Sequence, residues 1–164
     1  MRDPLLASVY VDYFGETHAM VRATMRRFID QAVKPHIDAW EEAGSFPREV
    51  YQQAGSLGLL GIGHPVEFGG TGEQDVFLKV AASEELMRSG SGGFVASLGS
   101  LDIGLPPVWR MGSEALQQRV VPQVLAGEKI IALAVTEPSG GSDVAGALGA
   151  RRARRGRGNP ALRA

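Results

Sequence analysis

Read for the spacing of its apolar and polar positions, the chain resolves into five stretches of helical period and one short apolar run without it. Between Phe14 and Trp40, Val21, Met25, Phe28, Ile29, Ala32 and Val33 recur at the spacing of one helix face, with Arg22, Arg26, Arg27 and Asp30 opposite. Pro35 removes a backbone donor and predicts a kink or interruption, with Ile37 and Trp40 extending the stripe until Gly44 ends it. A second helix is predicted from Pro47 through Val50, Tyr51 and Ala54 toward Gly58. Residues 57–72 are punctuated by glycine and proline and read as an ordered loop. A third helix, Glu73 to Arg88, is predicted to place Phe77, Val80, Ala81 and Met87 on its buried side. After another glycine cluster, Phe94 to Trp109 is apolar nearly all round with Asp102 as its only acid, which predicts one central, buried helix. Ser113 caps a fifth helix carrying Leu116, Val120, Val124 and Leu125, closed by Gly127 and bent at Pro122. The branched run Ile130 to Val135, ended by Pro138, suits a buried strand.

The predicted fold is therefore mainly α: a helical bundle over 13–127, then one strand within 128–146. A lone strand leaves its backbone groups unpaired, so further strands are expected beside it. The remaining residues, 147–164, are instead almost wholly Ala, Gly, Arg, Leu and Pro without periodicity, and are predicted to form a disordered tail. The 164 residues suffice for one ordinary globular domain with a core, and they contain no internal repeat.

Charge separates the body from the tail. The last fourteen positions hold six of the seventeen basic residues and no acid, which leaves 11 minus 18, or minus seven, on residues 1–150. No cysteine is present, so disulfides, thiolate metal sites and cysteine nucleophiles are excluded. No apolar run has the length of a membrane span and the start lacks the pattern of a secretory signal, so a cytoplasmic location is the expectation.

Candidate chemistry concentrates in 134–146, AVTEPSGGSDVAG, where the predicted strand stops at Pro138 and becomes a loop of Ser139, Gly140, Gly141 and Ser142. Glycines let backbone amides approach a ligand and cradle an anion such as a pyrophosphate. Thr136 adds a hydroxyl that both donates and accepts, as the edge of a flavin or nucleotide ring requires. Spacing alone also admits a plain glycine-rich turn with a capping aspartate.

The same stretch resembles the signature of acyl-CoA dehydrogenases, in which an aliphatic strand runs into Thr-Glu-Pro, small residues and Gly-Ser-Asp. The resemblance extends over Tyr13 to Gly146 through LGLLGIGHPVEFGGTG, SEELMRSGSGG and GSEALQQRVVPQVLAGEKIIALAVTEP. It implies a flavoenzyme that takes two hydrogens from the α and β carbons of an acyl-CoA, giving the trans-2-enoyl thioester. FAD is the implied hydride acceptor, electron transfer flavoprotein the implied reoxidant, and a homotetramer the implied assembly. Carried over by position, Leu133, Ala134, Val135 and Thr136 line the flavin ring, and Gly141 and Ser142 bind FAD, with Ser142 also touching the acyl-CoA. Glu137, Pro138 and Asp143 shape the loop. Val95, Ala96, Gly99 and Ile103 read either as acyl-chain wall or, preferentially, as ordinary core. The family's catalytic glutamate lies in a carboxy-terminal helical domain to which nothing here corresponds, and its middle domain is a β-barrel of which only the first strand is matched. The expectation is a chain inactive by itself, with 147–164 read out of frame. Acyl-CoA oxidases and some flavin monooxygenases resemble the dehydrogenases in this same region, so the resemblance also admits them.

Other readings are weaker. His18, His36 and His64 lack metal-ligand spacing, and Glu84 and Glu85 are adjacent on a helix, which points them to different faces and to a salt-bridging or surface role instead of a shared acid/base site. No nucleophile elbow, P-loop or complete dinucleotide fingerprint occurs. The arginine cluster permits a nucleic-acid-binding arm on a helical scaffold, although no aromatic residue interleaves it for base stacking.

Overall fold

A computed structural model describes residues 13–72, 75–138 and 140–144. The chain divides at Ala132 into two compact units. The first is helical and contains the core; the second begins at Leu133, and the predicted tail 147–164 lies outside the described residues.

Helix α1, Glu16–Phe28, continues as a π-helical turn, Ile29–Val33, and stops before Pro35, as the missing donor requires. The chain resumes in α2, Ile37–Ala43, which ends at Gly44 with φ +65°. Helix α3, Glu49–Ser56, starts two residues beyond Pro47 and buries Val50, Tyr51 and Ala54. The loop after it is pinned by its own backbone. Thr71 N–H donates to the Gly61 carbonyl at 2.9 Å and Gly72 N–H to that of His64 at 2.8 Å, around 3-10 turns at Leu59–Gly61 and Val66–Phe68.

Helix α4 spans Val76–Leu86, capped by Asp75, which accepts from Phe77 N–H. Its buried face is Leu78, Ala81, Ala82 and Glu85, so only Ala81 of the buried side predicted from periodicity lies in it. Val80 and Met87 are exposed and Phe77 is half-buried, stacked on Tyr13 at 4.9 Å. The helix is apolar on both sides, and the inward side is selected by the charge it accommodates. Glu85, 4% exposed, accepts from Arg26 Nε of α1 at 2.9 Å and lies 3.3 Å from Arg88 Nε, while Arg22 pairs with Glu84. Both adjacent glutamates are thus in ion pairs, one buried and one half-buried.

The predicted single helix over 94–109 is three: α5, Gly92–Gly99, α6, Leu101–Gly104, and α7, Pro106–Met111. Pro106, with no N–H to donate, starts a new helix instead of continuing the old one. Helix α8, Glu114–Leu125, is capped by the Ser113 hydroxyl and contains Pro122 within its span. The strand predicted for 130–135 is absent. Among the described residues the only bridge joins Glu137 and Gly140, and Ile130, Leu133 and Val135 are exposed. An isolated extended segment has no neighbour to take its ladder hydrogen bonds. Among the described residues no helix is long and apolar enough to cross a membrane.

Helices of these lengths are marginal in isolation, so packing decides the fold. The buried cluster draws Met25, Phe28, Ile29 and Val33 from the first helix and its π turn, Tyr51 and Ala54 from α3, Leu78 from α4, Phe94 and Leu98 from α5, and Val121, Val124 and Leu125 from α8. The contact that ends α8 is backbone on backbone. Gly127 has φ +75°, and a Cβ there would fall 2.1 Å from the Tyr51 carbonyl oxygen.

These contacts can be tested at two places. Gly127→Ala combines left-handed strain with a clash against backbone and is expected to cost at least about 2 kcal/mol in urea unfolding. Gly44→Ala, at φ +65° with nothing within 4 Å of the added carbon, is expected to cost about 1 kcal/mol. Equal costs would contradict this account of the α3–α8 junction. Glu85 supplies the second test. The hydrogen bond from Arg26, helped by the charges of Arg26, Arg88 and Arg22, outweighs burial and holds its carboxyl below the ordinary glutamate range. The unfolded chain therefore takes up this proton first as pH falls. The stability Glu85 contributes is whole above about pH 4.3 and is lost as pH drops through its depressed folded value. Arg26→Ala removes the hydrogen bonds from Arg26 and leaves the buried carboxylate with Arg88 at 3.3 Å, and is expected to cost about 2 kcal/mol at pH 7 and to flatten part of the acid profile; an unchanged profile would contradict it.

Candidate functional site

In the second unit the motif residues form a short exposed run followed by a tight turn. Leu133, Ala134, Val135 and Thr136 are exposed, and no hydrogen bond among the described residues engages their backbone N–H or C=O groups. Glu137 and Gly140 then exchange two backbone hydrogen bonds, Glu137 N–H to the Gly140 carbonyl at 2.9 Å and the return bond at 3.1 Å. That turn folds the chain back so that Gly141 comes beside Thr136. A Cβ on Gly141 would lie 3.4 Å from the Thr136 Oγ1 and 3.5 Å from its Cγ2, in van der Waals contact with that side chain. Ser142 and Asp143 come next, both exposed, while Gly141 is half-buried. The structure thus brings Thr136 and Gly141 together and leaves 133–136 as a strip of alternating unengaged donors and acceptors. Such a strip, next to a hydroxyl that both donates and accepts, matches the polar edge of a flavin ring. Ser139 lies outside the described residues.

In the helical unit, Val95, Ala96, Gly99 and Ile103 fall on the side of α5 and α6 away from the core. Phe94, Leu98 and Leu101 are buried, whereas Val95 and Gly99 are half-buried, Ala96 is exposed and Ile103 is 64% exposed. The preferred reading of these positions as core therefore fails for Ala96 and Ile103, because the turns of α5 and α6 send Leu98 and Leu101 inward instead. Behind Gly99 lies a cavity of about 60 Å³, bordered by Met25, Leu59, Leu98 and the polar pair Lys79 and Asp102.

That pair belongs to a cluster that the linear motifs did not reveal. Asp102 accepts from Lys79 Nζ at 2.7 Å, and its same oxygen lies 3.3 Å from Nε2 of His64, which is 1% exposed. Partial burial opposes the charge on Asp102, but hydrogen bonds from His64 and Lys79 more than offset it and hold the carboxyl below its ordinary range. The one signal in the sequence was Asp102 itself, the sole acid in an otherwise apolar run. Its partners come from the loop and from α4, too far along the chain for spacing to connect them. His18 is buried as well, its Nδ1 accepting from Gly15 N–H at 3.0 Å and its Nε2 lying 2.9 Å from Asp75; His36 is exposed and stacks on Trp40. Among the described residues no group of three His, Asp or Glu side chains is placed to hold a metal.

Residues 15–128 match the family described as acyl-CoA dehydrogenase, N-terminal domain. The chain belongs to the acyl-CoA dehydrogenase family. Among its acyl-CoA dehydrogenase relatives, the mitochondrial long-chain specific enzyme of Sus scrofa is 39% identical over 133 residues, covering 81% of this chain and 30% of the relative. A probable acyl-CoA dehydrogenase of Bacillus subtilis (strain 168) is 40% identical over 137 residues, covering 82% and 22%. In solved structures, a putative acyl-CoA dehydrogenase from Mycobacterium smegmatis superimposes with a TM-score of 0.74 at 43% identity, covering 80% of this chain and 35% of that one. An acyl-CoA dehydrogenase from Bacillus anthracis, solved in complex with FAD, gives 0.71 at 32% identity, covering 84% and 24%. The chain thus spans about a third or less of the length of these acyl-CoA dehydrogenases, and its helical architecture is that of their amino-terminal domain.

Proposed function

We propose that this chain supplies one wall of a flavin site in an acyl-CoA dehydrogenase, with residues 13–127 as the helical domain and 128–146 as the start of a middle β-domain. Leu133, Ala134, Val135 and Thr136 present main-chain groups and a hydroxyl to the flavin ring, Gly141 and Ser142 hold FAD, and Ser142 also touches the acyl-CoA. When bound, FAD supplies the hydride acceptor for dehydrogenation of the thioester to the trans-2-enoyl product. The residues named here bind and orient; none of them takes the α-proton, and Glu137, Pro138 and Asp143 shape the turn. Electron transfer flavoprotein is the proposed electron partner and a homotetramer the proposed assembly.

The observation that carries this reading is the approach of Gly141 to the Thr136 hydroxyl beside four residues with unengaged backbone groups. Family membership supports it, as does the FAD in the Bacillus anthracis structure. These residues cover only part of one face of a flavin, and affinity needs the rest of the site held in place. The 164-residue chain is therefore expected to purify without stoichiometric yellow chromophore and to show no dehydrogenase activity.

A graft tests the assignment directly. Residues 133–142 placed at the matching positions of the Bacillus subtilis relative are expected to keep bound flavin and activity. Thr136→Val within the graft, removing one hydrogen bond, is expected to weaken FAD by about tenfold. A graft that folds but loses its flavin, or a Thr136→Val form with unchanged affinity, would overturn the assignment.

A further inference from the structure

A cleft of about 330 Å³ opens in the helical unit, lined by none of the motif residues, and the flavin reading leaves it without a role. Its walls are aromatic and aliphatic: Ile37 and Trp40 of α2, Phe46 of the turn after it, Tyr51 of α3 and Phe94 of α5. The rings pack on one another, Phe46 lying 5.8 Å from Trp40, 5.1 Å from Tyr51 and 5.0 Å from Phe94 between centroids. They therefore form a continuous wall. The size and lining are those of a small-molecule site, which is mostly apolar with few polar groups.

Among the described residues Glu41 is the one charged residue lining the cleft, and no Lys, Arg or His accompanies it. Its carboxylate is tethered. The Ser91 hydroxyl donates to Glu41 Oε1, and the same hydroxyl accepts from Phe94 N–H at 2.9 Å at the start of α5. Among the described residues the tether engages Oε1 and no hydrogen bond takes Oε2, which is left to meet a ligand. An acid fixed at the edge of an aromatic wall favours one kind of guest. The apolar body fills the cleft, the positive head meets the carboxylate, and nearby ring faces attract the same charge. Anions, including phosphates, meet the reverse.

We propose that this cleft binds an organic monocation with an aromatic body, of the arylalkylammonium class, with Glu41 as the residue that selects its charge. The inference is independent of the flavin reading, since the two involve different residues.

Three probes with one carbon skeleton test it: 3-phenylpropylammonium, 3-phenylpropan-1-ol and 3-phenylpropionate, titrated calorimetrically into the full chain at pH 7. One-site binding is expected, with the ammonium about tenfold tighter than the alcohol and the carboxylate weakest. Glu41 is exposed, so Glu41→Gln should fold normally, as circular dichroism can verify. In that variant the ammonium is expected to fall to the affinity of the alcohol, whose own binding stays within about twofold. Equal affinities for the three probes, no ammonium binding below about 10 mM, or a preference that survives Glu41→Gln would each overturn the proposal.

Discussion

The helical unit depends on one contact between two stretches of main chain. Gly127 sits so close to the Tyr51 carbonyl that a methyl group has no room, and this seats the end of α8 against α3. The chain leaving that junction is held further on: the Ser100 hydroxyl donates to the Ile131 carbonyl at 2.9 Å, and Gly104 packs against Ile131 and Ala132. The segment that leads toward the motif is thus fixed up to Ala132 by backbone packing and one hydroxyl. Backbone contacts of this kind tolerate little change, because neither partner has a rotamer with which to move aside.

Ion pairs between helices and loops orient the elements that carry them. Glu85 selects the inward face of α4 by engaging Arg26 of α1, a choice that its apolar positions leave open. Asp102 joins the loop residue His64 to Lys79 of α4. A buried ion pair contributes little net stability compared with an apolar replacement, yet removing one partner is costly, so such pairs act more on which arrangement forms than on how stable it is. Of the two, only the Arg26–Glu85 pair holds its carboxylate inside, whereas Lys79 and Asp102 remain partly exposed; the aromatic wall from Trp40 to Phe94 adds apolar burial to the unit.

Much of the fold was legible along the chain where one periodic face met clear end signals. The first helix, its interruption before Pro35, the stop at Gly44, the Ser113 cap and the closure at Gly127 all have local causes and appear where those causes put them. Legibility failed where selection is non-local. Val80 and Met87 are as apolar as Leu78 and Ala82, and it is the charged contacts of α4, with the Arg26–Glu85 pair on the inward side, that distinguish its two sides. The run 94–109 is apolar enough to hide its breaks, and the branched stretch at 130–135 has a strand's composition without a neighbouring strand among the described residues. At the candidate site, the residue types of 133–142 were visible in the motif, while the closeness of Gly141 to Thr136 required the turn at Glu137 and Gly140.

The central claim is that 133–136, with Gly141 and Ser142, faces a flavin. Even weak contact registers in amide chemical shifts, so titration of the isotope-labelled chain with FAD tests it most directly. The account expects the perturbed amides to be those of Leu133, Ala134, Val135, Thr136, Gly141 and Ser142, with the helical core unmoved. Shifts confined to other residues, or none at saturating FAD, would contradict it.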